Sequence, residues 1–249
     1  MSCEPSFAGL VLAAGKGTRF LTEQGEPLPK VLRPILGRPM VCYVLDALSG
    51  AGIRDVTLVV GYRAEDVKRA LGDSVDYIPQ PEQKGSGHAV ACAAHRFDGF
   101  TGHLVVMCGD SPLFTSDTVR AMMAKHIATG AVITLASAVL TDPFGYGRIL
   151  RDSEGRIRAV VEEKCADEAQ RSISEVNGGA YVFDGAWLFA NLHAMAVNDA
   201  DEYNLTDMVR VAVEQNAVVS AVTCDERELL GVNTPEQLAA IEDMMRNRG

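Results

Sequence analysis

The stretch AGLVLAAGKGTR, residues 8–19, joins a short apolar run to a turn of small and basic residues. Residues 8–12 are predicted to form a buried strand, because they are apolar and lead into a glycine-rich turn. In such a turn the backbone N–H groups can approach and surround phosphate oxygens. The stretch therefore predicts a strand with a phosphate-binding loop at its carboxyl end.

Two familiar nucleotide-binding motifs do not fit this turn. A Walker A loop in this register needs Gly at position 10 and Ser or Thr at position 17, where the sequence has Leu10 and Gly17. A dinucleotide-binding fingerprint needs Gly at position 20, where the sequence has Phe20. The turn therefore belongs to neither motif.

Cations in and after the turn bear on its interpretation. The glycines alone support a plain strand-to-helix turn and a phosphate-binding loop about equally. Lys16 and Arg19 lie in the loop and Lys30 follows it, in a chain whose formal net charge is −10. Cations that can reach one triphosphate from two places favour phosphate binding, although Lys16 is also compatible with an ordinary surface position.

Beyond the turn, apolar runs typical of strands alternate with helical patterns. Strands are predicted at residues 8–12, 56–60, 75–78, 104–107 and 132–138, and helices at 40–48, 64–71, 87–94 and 116–129. This alternation indicates βαβ crossovers and an α/β fold with three layers, Rossmann-like, around a mostly parallel sheet. In such a fold, ligands bind at the carboxyl ends of the strands.

The second half of the sequence differs in character. Predicted strands at 147–151, 158–161 and 176–183 are joined by turns, which favours a small antiparallel insertion that covers substrate. A last helix is predicted after Thr234, with Pro235 at its first position and Gln237 completing a capping box. We expect one domain over residues 1–249, with halves at about 1–115 and about 140–235.

Composition limits the classes of function. The chain has 249 residues, 47% hydrophobic and 22% charged, which is typical of a folded globular protein. Its negative charge and lack of a basic run argue against a nucleic-acid partner. Its apolar runs are shorter than the roughly 20 residues of a membrane span, so we expect no membrane partner and a cytoplasmic location. Six cysteines without a C-x-x-C pair predict neither structural disulfides nor zinc.

Nine short blocks, taken in order, resemble one enzyme family. They are LAAGKGTR (12–19), LPKVL (28–32), QKGSGHA (83–89), CGDSPL (108–113), GYGRI (145–149), VEEK (161–164), EVNGG (175–179), EYNLTD (202–207) and GVN (231–233). In order and spacing they are similar to the uridylyltransferase domain of bacterial N-acetylglucosamine-1-phosphate uridylyltransferases. The resemblance implies Mg²⁺-dependent transfer of UMP from UTP to N-acetylglucosamine 1-phosphate, with release of pyrophosphate.

The same resemblance implies the residues of the site. Those expected at the triphosphate and the reacting phosphorus are Arg19 and Lys30. Those expected to bind the nucleotide are Leu12, Ala13, Ala14, Gly15, Lys16, Gly17, Gln80, Gly85 and Ser86. Those expected to bind the sugar, in the second half, are Gly147, Glu162, Asn177, Tyr203 and Thr206. The expected Mg²⁺ ligands are Asp110 and Asn233.

The implied chemistry is attack by a sugar phosphate oxygen on the α-phosphorus, which needs positioning and charge neutralisation and no protein nucleophile. His88 is expected to be a helix-start residue and not a base. The Gln80 amide is expected to accept from the N3–H of uracil and donate to its O4, which favours UTP or dTTP over CTP. Asp110 has a second interpretation, as a turn residue in Gly-Asp-Ser-Pro.

Alternatives remain at the level of specificity and activity. Gly178 stands where the family more often has Thr, and Cys108 where it often has Tyr, so the chain could prefer another sugar 1-phosphate or dTTP. A catalytically silent nucleotide-sugar-binding module on the same fold is a further alternative. In the family, a β-helix acetyltransferase domain follows and supports a trimer. These 249 residues do not include that domain, so we expect one activity and a monomer or weak homodimer.

Overall fold

A nine-stranded sheet crosses the part of the chain that the computed structural model describes, residues 5–17, 28–198 and 201–247. Its strands are β1 (Phe7–Ala13), β4 (Val56–Val60), β5 (Asp76–Pro79), β6 (His103–Cys108), β7 (Ile133–Val139), β8 (Arg148–Arg151), β9 (Ile157–Val161), β10 (Glu175–Asp184) and β11 (Val219–Thr223). A separate pair consists of β2 (Pro34–Ile35) and β3 (Arg38–Pro39). The α-helices are α1 (Met40–Gly50), α2 (Ala64–Leu71), α3 (Gly85–Cys92), α4 (Ser116–Thr129), α5 (Glu168–Arg171), α6 (Gly185–Asn191), α7 (Asp207–Glu214) and α8 (Pro235–Arg246).

The strand order confirms the predicted mostly parallel sheet. Strands β5, β4, β1 and β6 are neighbours and parallel, and the sheet continues through β10, β7 and β11. The carboxyl ends of the four parallel strands therefore meet at one edge, as an open α/β sheet requires of its ligand site.

The strand predicted at 176–183 was placed in the wrong part of the fold. It lies in the main sheet as β10, antiparallel to both β6 and β7, and only the hairpin of β8 and β9 forms the insertion. The hairpin joins the sheet where Arg148 pairs with Val176. Local apolar patterning predicts a strand but not its neighbours, which explains the error.

Burial of the central strands on both faces produces the three layers. Leu10 and Val11 of β1 are both fully buried, yet they belong to two different apolar clusters because successive side chains point to opposite faces. On one face the cluster includes residues of α1 and α4, and on the other it includes residues of α3 and α7. Both faces of the sheet are thus covered by helices.

Helix boundaries differ from the sequence predictions in two informative places. Helix α3 begins at Gly85, two residues earlier than predicted, because tertiary packing overrides the poor helix propensity of glycine. Thr234 caps α8 by accepting from the N–H of Gln237 at 3.3 Å. The predicted capping box is wrong, since the Gln237 side chain accepts from the N–H of Asn233 at 2.7 Å instead.

Four elements of the second half, α5, α6, α7 and β11, had no sequence prediction. β11 pairs with the edge of β7 and its side chains are only partly buried, so it lacks the apolar run of a central strand. Within the described ranges, no helix is long and apolar enough to cross a membrane.

Candidate functional site

The glycine-rich loop lies where β1 ends, between the ends of β4 and β6. The carbonyl of Leu12 accepts from the N–H of Gly109 at 2.9 Å, which joins the loop to the end of β6. On the β4 side, Gly61 packs so closely that an added Cβ would lie 2.8 Å from the carbonyl oxygen of Ala14. Ala13 and Ala14 are buried, whereas Gly15 and Lys16 are exposed. The loop is thus held by its backbone, with its basic tip free to meet a ligand.

A cavity of about 530 Å³ opens beside this loop. Its lining includes Lys16, Gly61, Gln80 and Gln83. The side-chain amide of Gln83 donates to the carbonyl of Ala14, which ties the loop to the far wall. The cavity therefore lies between the predicted phosphate loop and the predicted base-reading residue.

Lys30 is positioned by the loop and lies between the two predicted metal ligands. Gly17 has a φ of +63° and packs so that an added Cβ would lie 2.8 Å from Cβ of Lys30. The ammonium of Lys30 forms an ion pair with Asp110 and donates to Oδ1 of Asn233 at 2.7 Å. Arg19, the other cation predicted at the triphosphate, lies outside the described residues.

Asp110 and Asn233 converge although they follow different elements. Asp110 comes two residues after β6, and its carbonyl accepts from the N–H of Val232 at 3.0 Å, which brings the 231–233 segment to it. Gln237 then fixes the backbone of Asn233 from the first turn of α8. A carboxylate and an amide oxygen facing one ammonium form a cation-binding pair, and hard oxygen donors suit Mg²⁺, which keeps several waters. No cluster of three or more His, Cys, Asp and Glu side chains suited to a metal is found in the described ranges.

Cys108 lies at the end of β6 beside this pair. Burial first, and the Asp110 carboxylate second, raise the pKa of its thiol to about 12. The thiol is therefore neutral near pH 7, and its Sγ lies 3.9 Å from the carbonyl oxygen of Gly179. Cys108 acts here as a small packing residue and not as a nucleophile.

Gln80, at the end of β5, is oriented differently from the sequence expectation. Its amide nitrogen lies 3.1 Å from the carbonyl oxygen of Gly85 and 3.1 Å from Nδ1 of His88. Both amide N–H groups therefore face protein acceptors, and the expected donation to O4 of a base does not fit this arrangement. The oxygen Oε1 has no hydrogen-bond partner among the described residues.

The segment 203–206 connects the nucleotide side to the sugar side. The N–H of Gly87 donates to the carbonyl of Tyr203 at 2.7 Å, and the N–H of Leu205 donates to Oγ of Ser86 at 2.9 Å. An added Cβ on Gly85 would lie 2.5 Å from the Tyr203 carbonyl oxygen, so only glycine permits this approach. The predicted nucleotide residues of α3 thus lie against the predicted sugar-binding segment.

The remaining predicted sugar residues lie around the base of the hairpin. Thr206 donates to Oε1 of Glu162 at 2.8 Å, and the N–H of Asn177 donates to the carbonyl of Gly147 at 2.8 Å. An added Cβ on Gly147 would lie 3.0 Å from Cγ1 of Val160 and 3.6 Å from Oε2 of Glu162, so a larger residue at position 147 would crowd this part of the hairpin. The structure therefore brings Gly147, Glu162, Asn177 and Thr206 together.

Sequence reasoning missed two features of this region. The hydroxyl of Tyr181, which is buried, accepts from Nδ2 of Asn177 at 2.7 Å, and burial raises its pKa. The guanidinium of Arg148, also buried, donates to Glu163 at 2.7 Å, and Glu163 accepts from the N–H of Gly145 at 3.1 Å. Strand periodicity places positions 177 and 181 on one face and could have indicated Tyr181. Arg148 carried no such signal, because charged residues are rarely buried.

Comparison with known proteins places this site in a family. Residues 9–176 match the family model described as the MobA-like NTP transferase domain, so the chain belongs to that family. It is 46% identical over 241 residues, 96% of this chain, to the bifunctional protein GlmU of Heliobacterium modesticaldum. It is 42% identical over 241 residues to the GlmU of a Geobacillus species. The chain spans about half the length of these relatives, 52% in both cases.

A solved structure supports the fold independently. A Bacillus anthracis protein assigned as a glucose-1-phosphate thymidylyltransferase, crystallised with sucrose, matches with a TM-score of 0.79. The match covers 97% of this chain and 96% of that one at 19% sequence identity. The architecture is therefore that of the nucleotide-sugar transferase fold.

Proposed function

We propose that this chain transfers UMP from UTP to N-acetylglucosamine 1-phosphate with Mg²⁺ and releases pyrophosphate. The observation that carries the proposal is the convergence of Lys30, Asp110 and Asn233 on one point beside the glycine-rich loop. Similarity to bifunctional GlmU proteins over nearly the whole chain supports it further. In this reaction a sugar phosphate oxygen forms a bond to the α-phosphorus while the bond to pyrophosphate breaks.

On the nucleotide side, the chain's own residues would bind and orient UTP. Backbone N–H groups of the loop at Gly15, Lys16 and Gly17 would contact the phosphates. The ammonium of Lys30, with Arg19, would neutralise charge that develops at the α-phosphorus. Asp110 and Asn233 would hold Mg²⁺, which supplies charge neutralisation on the triphosphate when bound. Gln80 would accept from the N3–H of the base, beside the backbone of Gly85 and Ser86.

On the sugar side, the pocket would hold N-acetylglucosamine 1-phosphate so that its phosphate oxygen is in line with the α-phosphorus of the nucleotide. Oε1 of Glu162 already accepts from Thr206, so Oε2 would be the atom that accepts from a sugar hydroxyl. Asn177 and Tyr203 would add directional contacts to the N-acetyl group and the ring. Fixing the acceptor next to a bound nucleotide supplies much of the rate enhancement in phosphoryl-type transfers. The contact of 203–206 with α3 would couple the two binding events.

We further propose a cytoplasmic enzyme whose partners are small molecules and not nucleic acid or membrane, in keeping with the net charge of −10. Studied alone, these 249 residues would form a monomer or weak homodimer. Light scattering tests this statement, and the mass of a stable trimer would contradict it.

A substrate panel tests the proposed reaction. Pyrophosphate release would be followed with UTP or dTTP, each with N-acetylglucosamine 1-phosphate or glucose 1-phosphate, with and without EDTA. We expect EDTA-sensitive release that is fastest with UTP and N-acetylglucosamine 1-phosphate. The dTTP arm is needed because thymine carries the same N3–H that Oε1 of Gln80 would read. Pyrophosphate release only with another nucleotide and sugar phosphate would assign a different substrate specificity. Nucleotide binding without pyrophosphate release would support the catalytically silent nucleotide-sugar-binding module.

A further inference from the structure

The base-reading amide of Gln80 is held by two acceptors and not one. Its nitrogen lies 3.1 Å from the carbonyl oxygen of Gly85 and 3.1 Å from Nδ1 of His88. The Gln80 side chain is 5% exposed and lines the cavity beside the glycine-rich loop. The orientation of this amide therefore decides which atom a base meets there.

The chemistry of the two partners fixes that orientation. A backbone carbonyl only accepts, so the amide atom facing Gly85 must be the nitrogen. The same nitrogen faces Nδ1 of His88, so this ring atom must be the unprotonated acceptor, and the ring proton lies on Nε2. Nε2 in turn faces Sγ of Cys92 at 3.8 Å. Burial raises the pKa of that thiol, so the sulfur is neutral and serves as a weak acceptor.

We infer that His88 is a positioning residue that sets base specificity, because it accepts from Gln80 and so holds Oε1 as the amide atom offered to the base. This inference rests on the proposed function. Oε1 accepts from a pyrimidine whose N3 carries a proton, which describes uracil and thymine. Cytosine presents a lone pair at N3 and is repelled by the same oxygen. To bind cytosine the amide must turn over, which breaks its bonds to both His88 and Gly85 and leaves the two acceptors facing an oxygen.

Two variants separate this role from simple packing. His88→Leu keeps an apolar side chain on α3 but removes the acceptor. His88→Asn places its Oδ1 where Nδ1 lies and can still accept from Gln80. We expect the UTP-to-CTP ratio, measured both as Kd by calorimetry and as kcat/KM, to fall about tenfold in His88→Leu, the factor that corresponds to one hydrogen bond. We expect His88→Asn to stay within about threefold of wild type.

The outcomes test the role of His88 in base specificity separately from the proposed function. A UTP-to-CTP ratio in folded His88→Leu equal to that of wild type would overturn the inference, and so would a wild-type protein that binds the two nucleotides equally. If wild type binds UTP selectively but turns over no sugar phosphate, the proposed function fails and the binding ratios still test His88. Should His88→Leu not fold, ¹⁵N NMR of the wild-type imidazole remains. A proton on Nδ1 of His88 would contradict the inference, and a proton on Nε2 would support it.

Discussion

The ammonium of Lys30 lies 2.7 Å from Oδ1 of Asn233, although the two residues are 203 positions apart in the chain. The same ammonium pairs with Asp110, so one cation joins the loop after β1, the turn after β6 and the segment before α8. In the proposed reaction, this point is where the triphosphate and Mg²⁺ would meet.

Replacing Lys30 tests whether its ammonium contributes to catalysis. We expect Lys30→Met to lower kcat by about 10²–10³-fold, the range seen when one preorganised electrostatic group is removed from a reacting centre. Steady-state kinetics with UTP and N-acetylglucosamine 1-phosphate measure the effect. Lys125→Met, on the exposed surface of α4, is the matched control and should leave kcat unchanged. Equal rates in the two variants would remove Lys30 from the chemistry.

The variant Asp110→Ala tests the two proposed Mg²⁺ ligands through metal binding and not through turnover. We expect Asp110→Ala to weaken Mn²⁺ binding in the presence of UTP at least tenfold, because one of two protein oxygen ligands is lost. Titration followed by electron paramagnetic resonance measures free Mn²⁺ directly. Asp117→Ala, whose side chain is 88% exposed, is the control. Unchanged Mn²⁺ affinity in Asp110→Ala would exclude it as a ligand.

Alanine substitutions at Gly85 and Gly52 distinguish the effect of steric contact on stability from the effect of backbone strain. Their φ angles are nearly equal, +92° and +93°, but an added Cβ meets Tyr203 only at Gly85. We expect Gly52→Ala to lower the free energy of unfolding by about 1 kcal/mol, and Gly85→Ala to lower it by about 1–3 kcal/mol more through overpacking. Urea denaturation measures both values. Equal losses would mean that the 203–206 segment is not tightly docked on α3.

Glu162 is predicted to act on the sugar and not on the nucleotide. We expect Glu162→Ala to raise the KM for N-acetylglucosamine 1-phosphate by about 10–100-fold with little change in the KM for UTP, because a directed hydrogen bond to the acceptor is lost. Thr206→Val removes only the hydroxyl that bonds to Glu162 and should have a smaller effect of the same kind. A rise confined to the KM for UTP would contradict this assignment.

Buried His126 predicts how stability depends on pH. Burial, followed by the nearby His103, lowers the pKa of His126 to about 4, while an unfolded histidine titrates near 6.5. Between these values the unfolded chain binds more protons than the folded one. The free energy of unfolding should therefore fall as pH decreases from about 6.5 to about 4, and this contribution should be fully present above 6.5.

Variants at two histidines isolate that effect. Urea denaturation at pH 7.5, 6 and 5 should show a smaller loss of stability in His126→Asn than in wild type, since the buried titrating group is gone. His95→Asn, on the exposed surface, should follow wild type. If His126→Asn loses stability with pH as steeply as wild type does, another group is responsible.

The sequence was sufficient for the parallel half of the fold because β1, β4 and β6 are continuous apolar runs that only a doubly covered sheet can bury. It was insufficient for β10, whose position between β6 and β7 depends on long-range pairing, and for β11, which is only partly buried. The site residues were predicted by resemblance, since Lys30, Asp110 and Asn233 share no local pattern. The bond between Gln80 and His88 could not be predicted, because it depends on the exact approach of α3 to the end of β5.

The most direct measurement of the central claim is product analysis. Wild-type protein would be incubated with UTP, N-acetylglucosamine 1-phosphate and Mg²⁺, and nucleotide sugar and pyrophosphate would be quantified by mass spectrometry and an enzyme-coupled assay. The account predicts UDP-N-acetylglucosamine and pyrophosphate in equal amounts, and loss of both in Asp110→Ala. Release of UDP and phosphate, or no nucleotide sugar with intact UTP, would contradict it.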